Sequence, residues 1–293
     1  MPEGDTIHRA ARTLHKALAG RAVSRFESVF PHLSRIDHDT PLQGRVIESI
    51  EARGKHLLMR FSGGLVLRTH MRMHGSWHVY RPGERWQRPH HDMRIVIETD
   101  TFHAVGFSIP IAEFTRGGDA LERSAPMREL GPDLLGTAFD DAEARARLRA
   151  RAEIEIADAL LDQHAVAGIG NVYKSEVLFA GRVNPFTPVG DLDDDKLGRL
   201  LSLARRFMQA NVHDGASGGI VTYSGMRRTT GRMDASARLW VYGRGGKPCR
   251  RCGTPVSRAK QGPHARSTYW CPRCQPSTPP APRSAGPQPR RDP

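Results

Sequence analysis

Acidic residues, cysteines and long apolar runs are all scarce in this chain. Only 31 Asp and Glu stand against 44 Lys and Arg in 293 residues, leaving a formal charge of +13 and a sequence pI near 10.3. That excess calls for an acidic partner. Nucleic acid is the first to consider, although charge alone does not separate it from anionic lipid or from simple solubility. No stretch approaches the roughly 20 apolar residues of a membrane span, and the opening MPEGDTIHRAARTLHK lacks the apolar core of a signal peptide. A soluble, cytoplasmic protein without membrane contacts is therefore expected. The four cysteines all lie between Cys249 and Cys274, which excludes a disulfide framework for the whole chain and favours a local metal site. No internal repeat is found. With 38% hydrophobic residues the chain has apolar material for one large or two modest cores, so wholesale disorder is excluded.

Residues 4 to 20 read as an amphipathic helix, with Ile7, Ala10, Ala11, Leu14 and Leu18 at helical spacing, Asp5 or Thr6 as cap and Gly20 as stop. From about 21 to 115 the pattern becomes strand-like: RVIESIEA, KHLLMRF, GLVLRTHM, SWHVY and MRIVIET, separated by turn signals. Closely spaced strands predict an antiparallel β-sandwich. We expect an α+β multidomain chain with the N-terminal sandwich over 1–118 and a linker over 119–136. A mainly helical unit should follow over 137–225, from the patterning of ALLDQ (159–163), VYKSEVLFA (172–180) and DDKLGRLLSLARRFMQAN (194–211). Residues 237–275 hold nine Arg or Lys, no acid and every cysteine. Residues 276–293, rich in Pro, Ser and Arg, read as a disordered tail.

Cys249-Arg-Arg-Cys252 and Cys271-Pro-Arg-Cys274, eighteen residues apart, form two knuckles whose thiolates can converge on one zinc ion. A redox pair or two disulfides fit less well, since such short loops gain little from cross-linking. With four thiolates and no open position, the zinc would be structural. Between the knuckles, Arg266 falls near the tip of a short hairpin, suited to bridging phosphates, and equally readable as an ordinary exposed arginine. Gly168-Ile169-Gly170-Asn171 precedes a helix starting near Val172 and resembles a phosphate cradle. It lacks the endings of a P-loop and the preceding strand of a dinucleotide site, and on its own it reads better as a helix corner capped by Asn171. Pro2 implies removal of Met1 and a free secondary amine, which with an α-amino pKa near roughly 8 can attack a sugar C1′. Glu3 beside it can serve as acid and base. Alone, Pro2-Glu3 reads as a helix lead-in.

Taken together, MPEGDTIHRAARTL, ARGKHLLMRF, QHAVAGIGNVYKSE and the CxxC pairs closing at CPRCQ resemble, in order, the formamidopyrimidine-DNA glycosylase and endonuclease VIII family of base-excision repair enzymes. The resemblance spans about residues 1 to 275. It implies an N-terminal β-sandwich, a helix-two-turn-helix domain and a zinc-finger hairpin, with DNA in the cleft between the halves. Position by position, Pro2 matches the nucleophile, Glu3 its acid and base partner, and Lys55 a lysine that contacts phosphate at the lesion. Asn171, in the loop with Gly168 and Gly170, matches a phosphate-binding asparagine, and Arg266 the arginine that bridges phosphates around the flipped nucleotide. Met73, between Arg72 and His74, falls where the family places its wedge residue, with core packing as the alternative. Cys249, Cys252, Cys271 and Cys274 match the zinc ligands.

The resemblance thus implies a bifunctional glycosylase and abasic-site lyase acting on damaged double-stranded DNA at the bacterial nucleoid. Single-stranded DNA remains open, and a monomer is expected. The opening EGDT resembles the endonuclease VIII branch, which favours oxidised pyrimidines, whereas the other branch begins Pro-Glu-Leu-Pro and favours oxidised purines. The wedge segment lacks the Gln-Leu-Tyr run of the better known endonuclease VIII enzymes. The alternative from another class is a non-catalytic zinc-ribbon DNA-binding protein, which explains charge, zinc and Asn171 but gives the N-terminal amine no task.

Overall fold

Helix α1 (Gly4–Leu18) forms where the apolar spacing predicts and buries Ile7, Ala10, Ala11, Leu14 and Leu18. Its start differs from expectation. Neither Asp5 nor Thr6 caps it; Glu3 holds the cap position without a side-chain cap bond, because its carboxylate reaches another helix. The computed structural model describes residues 2–213, 229–230 and 238–277. The tail expected over 276–293 lies outside the described residues from 278 onward, as do 214–225 of the helical unit.

After α1 come β1 (Arg25–Ser28), α2 (Pro31–Asp39), β2 (Ile47–Arg53), β3 (His56–Phe61), β4 (Leu65–His70), β5 (Ser76–Tyr80), β6 (Met93–Glu98), β7 (His103–Phe107) and β8 (Ile111–Arg116). They form two four-stranded antiparallel sheets, ordered β1-β6-β7-β5 and β2-β3-β4-β8. The alternating residues Leu57, Met59 and Phe61 of one sheet and Ile95 and Ile97 of the other share a core with the apolar face of α1. Trp77, fully buried, donates from Nε1 to Thr69 Oγ1 across the sheets at 3.2 Å. Helix α2 interrupts a region that reads as strands throughout; Pro31 at its first turn is compatible with either.

The segment read as a linker carries two short helices, α3 (Gly118–Arg123) and α4 (Ala125–Arg128), and its Leu121 and Met127 pack on Leu58 and Val66, on the outer face of the second sheet. Next come α5 (Asp141–Arg149), α6 (Ile156–Ala159), α7 (Asn171–Ala180) and α8 (Asp194–His213). The helix expected at 159–163 ends at Ala159 instead. Its continuation is a turn, where Asp162 Oδ1 accepts from His164 N–H and the Gln163 side chain turns to the glycine loop. Helix α7 is buried from Asn171 through Phe179, as befits an element covered by α6, α8 and the hairpin of β9 (Ser257–Gln261) and β10 (Arg266–Trp270). No helix among the described residues is long and apolar enough to cross a membrane.

Candidate active site and nucleic-acid interface

The first residues of the chain are built into the start of α7. Gly4 N–H donates to Gly168 O at 2.9 Å. The fully buried Glu3 carboxylate accepts from the backbone N–H groups of Gly170 at 3.1 Å, Val172 at 2.8 Å and Tyr173 at 3.3 Å. These are the unpaired donors at the positive end of a helix, so a carboxylate is favoured there. Two close approaches favour glycine. A Cβ on Gly170 would lie 2.3 Å from Glu3 Cδ, and one on Gly4 would lie 2.7 Å from Met208 Cε and 3.0 Å from Gly168 Cα.

The glycine loop therefore departs from the cradle read in the sequence. Gly170 N–H faces Glu3 and Gly168 N–H donates to Gln163 Oε1 at 3.1 Å, so in this structure the anion held by the loop is the chain's own carboxylate. Asn171 does not cap α7 either; Gly170 occupies that position and Asn171 is the first helical residue. Its Nδ2 donates to Ser267 O on β10 at 2.8 Å, while its buried Oδ1 has no partner among the described residues. One Nδ2–H thus remains for an acceptor such as a phosphate.

Lys55 reaches the same loop from the N-terminal sandwich, with Nζ donating to Ile169 O at 2.5 Å, where Gln163 Nε2 also donates at 3.1 Å. The preceding Gly54 (φ 58°) donates its N–H to Asp133 Oδ2 at 2.7 Å, which locks the β2–β3 turn onto the second half of the chain. Behind Lys55, His56 and His70 meet edge to face at 4.9 Å. Burial, then the neighbouring imidazole and cations, holds His56 down to about 3; burial, then Arg72 and Lys55, holds His70 down to about 4. Both are neutral at physiological pH, and His70 Nδ1 accepts from Arg72 N–H at 3.0 Å.

Pro2 is half-buried immediately ahead of Glu3. Met73 is 57% exposed, which removes the core-packing alternative. It shares a recess of about 660 Å³ with Arg72, His74, Arg94 and Ile109. The tip is held by Arg88, which donates to His74 O at 3.1 Å, Ser108 Oγ at 3.2 Å and Asp92 Oδ2 at 2.8 Å. Arg88 is a positioning group that no local motif marked, since it acts on segments distant in sequence, whereas Gln163 braces the glycine loop a few residues along from it.

In the finger, the Sγ atoms of Cys249, Cys252, Cys271 and Cys274 all lie within 4.8 Å of one another. Four thiolates at about 2.3 Å from a tetrahedral zinc stand at closely similar separations, so the donor set fits one structural ion. Arg266 opens β10 directly after the 262–265 turn and pairs with Gln261. The finger is docked by Glu176 of α7. Its fully buried carboxylate accepts from the N–H groups of Trp240 at 2.7 Å, Val241 at 2.9 Å and Tyr242 at 2.8 Å, and from the Thr229 hydroxyl. Burial pushes this carboxyl up while the four donors pull it down.

Three family models match the chain: the formamidopyrimidine-DNA glycosylase N-terminal domain over 1–108, its H2TH domain over 130–222, and the zinc finger found in FPG and IleRS over 246–276. The match over 1–108 sets aside the zinc ribbon without a catalytic domain. "Probable endonuclease 8 2" of Streptomyces coelicolor is 43% identical over 98% of this chain and 97% of that protein. "DNA-(apurinic or apyrimidinic site) lyase Nei2" of Mycolicibacterium smegmatis is 37% identical over 94% and 99%. Lactococcus lactis Fpg, solved with DNA containing an abasic site, superposes with a TM-score of 0.78 at 24% identity over 94% of this chain and 100% of that one, a likeness of fold. The chain belongs to the formamidopyrimidine-DNA glycosylase and endonuclease VIII family, and its most similar named relatives among these fall on the endonuclease VIII side.

Proposed function

We propose that this chain is a base-excision DNA glycosylase with abasic-site lyase activity, acting on duplex DNA with oxidised pyrimidines as its preferred bases. The observation that supports this most is the convergence of residues 2–4, Lys55 and the 168–173 segment on one place, although they are far apart in sequence. Once Met1 is removed, the Pro2 amine attacks C1′; the C1′–base bond breaks and the base leaves with a proton. Glu3 delivers a proton to the ring oxygen, and the opened sugar is held on Pro2 as an iminium. That cation is an electron sink. Loss of a proton from C2′ expels the 3′ phosphate, and a second elimination expels the 5′ phosphate, cutting the strand.

Lys55, the free Nδ2–H of Asn171 and the Arg266 guanidinium supply phosphate contacts on either side of the lesion, and Met73 fills the space left by the extruded base. Zinc holds the hairpin that presents Arg266. The preference for pyrimidines rests on the resemblance of the EGDT opening to the endonuclease VIII branch. Borohydride trapping on DNA with an abasic site tests the whole reading. A covalent adduct that vanishes in Pro2→Gly with a blocked amine is expected; no adduct from the native N-terminus would overturn it. Incision of duplexes carrying thymine glycol or 8-oxoguanine tests the base preference.

A further inference from the structure

Lys174 has no task in the chemistry above, yet it is fully buried. It lies one helical turn after Asn171 on α7, so both side chains face β10. Asn171 Nδ2 donates to Ser267 O, and Lys174 Nζ donates to Thr268 Oγ1 at 2.7 Å. Thr268 Oγ1 in turn donates to Gln261 Oε1 at 2.7 Å, and Gln261 Nε2 donates to Glu155 Oε2 at 2.7 Å and Pro185 O at 3.0 Å. Every donor in this chain points the same way, from an ammonium at one end to a carboxylate at the other. Such a sequence polarises each member in the same sense and fixes the hydroxyl and amide orientations between the charges.

The hairpin residues involved are those that place Arg266. Thr268 shares a strand face with Arg266 by alternation, and Gln261 is the register partner of Arg266 across the hairpin. A Cβ on Gly262, the first turn residue, would lie 2.4 Å from Asp158 Oδ1, so the turn itself rests on the helical unit. We infer that Lys174 is a positioning residue that locks the hairpin carrying Arg266 to the helix carrying Asn171, so that the two phosphate contacts keep a fixed separation. This deepens the proposed function and rests on its reading of Arg266 as a phosphate ligand.

The surroundings agree with that role. Burial pushes Lys174 down to about 8, Asp158 pulls it back up, Arg266 pushes it further down, and Glu3 pulls up. The groups facing this site are thus Asp158 and Glu155 from the helical unit, Glu3 from the N-terminus, and His264 and Arg266 from the hairpin. A phosphate arriving at Arg266 would offset that cation and favour the protonated lysine.

The test uses full-length, zinc-loaded protein and a duplex containing a tetrahydrofuran abasic analogue. Affinity is compared for wild type, Lys174→Met, Arg266→Ala and the double variant, with zinc content measured in each. Lys174→Met is expected to weaken binding about tenfold, the size of one charge-assisted hydrogen bond, and to add under about twofold in the Arg266→Ala background. An equal loss in both backgrounds, or none in either, overturns the proposal. If Arg266→Ala itself binds normally, the phosphate reading of Arg266 fails instead. Where Lys174→Met loses zinc or fails to fold, Thr268→Val and Thr268→Ser decide: Val should weaken binding and Ser should restore it, and equal behaviour of the two counts against the relay. Raising the pH from 7 to 9 should weaken binding by the wild type more than by Lys174→Met; identical slopes also count against it.

Discussion

Two buried carboxylates meet helix α7 at opposite ends of its role. Glu3 comes from the N-terminal sandwich and accepts three N–H groups at the start of α7, whereas Glu176 leaves α7 and accepts three N–H groups from the lead-in to the zinc finger. The chemistry is the same and the direction is reversed. At Glu3 the donors belong to a helix terminus whose dipole already favours an anion. At Glu176 the donors belong to consecutive irregular residues, which have no ladder of their own and depend on that carboxylate for satisfaction. The difference assigns each acid a different consequence: Glu3 sets where the residue ahead of it sits, and Glu176 decides whether the finger is docked at all.

The largest effect should come from Glu176→Leu, which strands three N–H groups, that of Val241 buried and those of Trp240 and Tyr242 partly so. Each unsatisfied donor costs about 1–3 kcal/mol, so the variant should lose finger docking and zinc together, read as a lower Tm and reduced metal content. Glu3→Gln should separate function from stability. Its amide cannot accept from all three N–H groups, yet its volume is kept, so incision of abasic-site DNA should fall about 100-fold or more with a smaller Tm change than Glu176→Leu. Equal Tm losses would erase the distinction between the two. Smallest is Gly4→Ala, whose Cβ meets the flexible end of Met208; overpacking of this kind costs about 1–3 kcal/mol, and Met208→Ala should restore part of it in thermal unfolding.

The helix α1, five strands of the sandwich and the cysteine knuckles were legible because each is a local pattern. The glycine loop was legible as unusual but not as to purpose. Gly170 needs no Cβ because Glu3, far away in sequence, lies against it, and no spacing rule reports such a contact. Lys174 and Glu176 were hidden for a related reason. In VYKSEVLFA they look like the polar face of an amphipathic helix, whereas α7 is covered on every side and its charges point into neighbouring domains. Arg88 was unreadable because its partners His74 and Ser108 lie on separate strand connections.

The contact between Glu3 and α7 also sets an order on the making of the protein. Residues 2–4 leave the ribosome well before their partners at 168–173, and domains fold in the order they emerge. The segment ahead of α1 therefore waits unhoused while more than 160 residues are added, since Glu3 and Gly170 are separated by 167 positions. The segment ahead of α1 thus gains its seat only after the glycine loop and the first turn of α7 have been made.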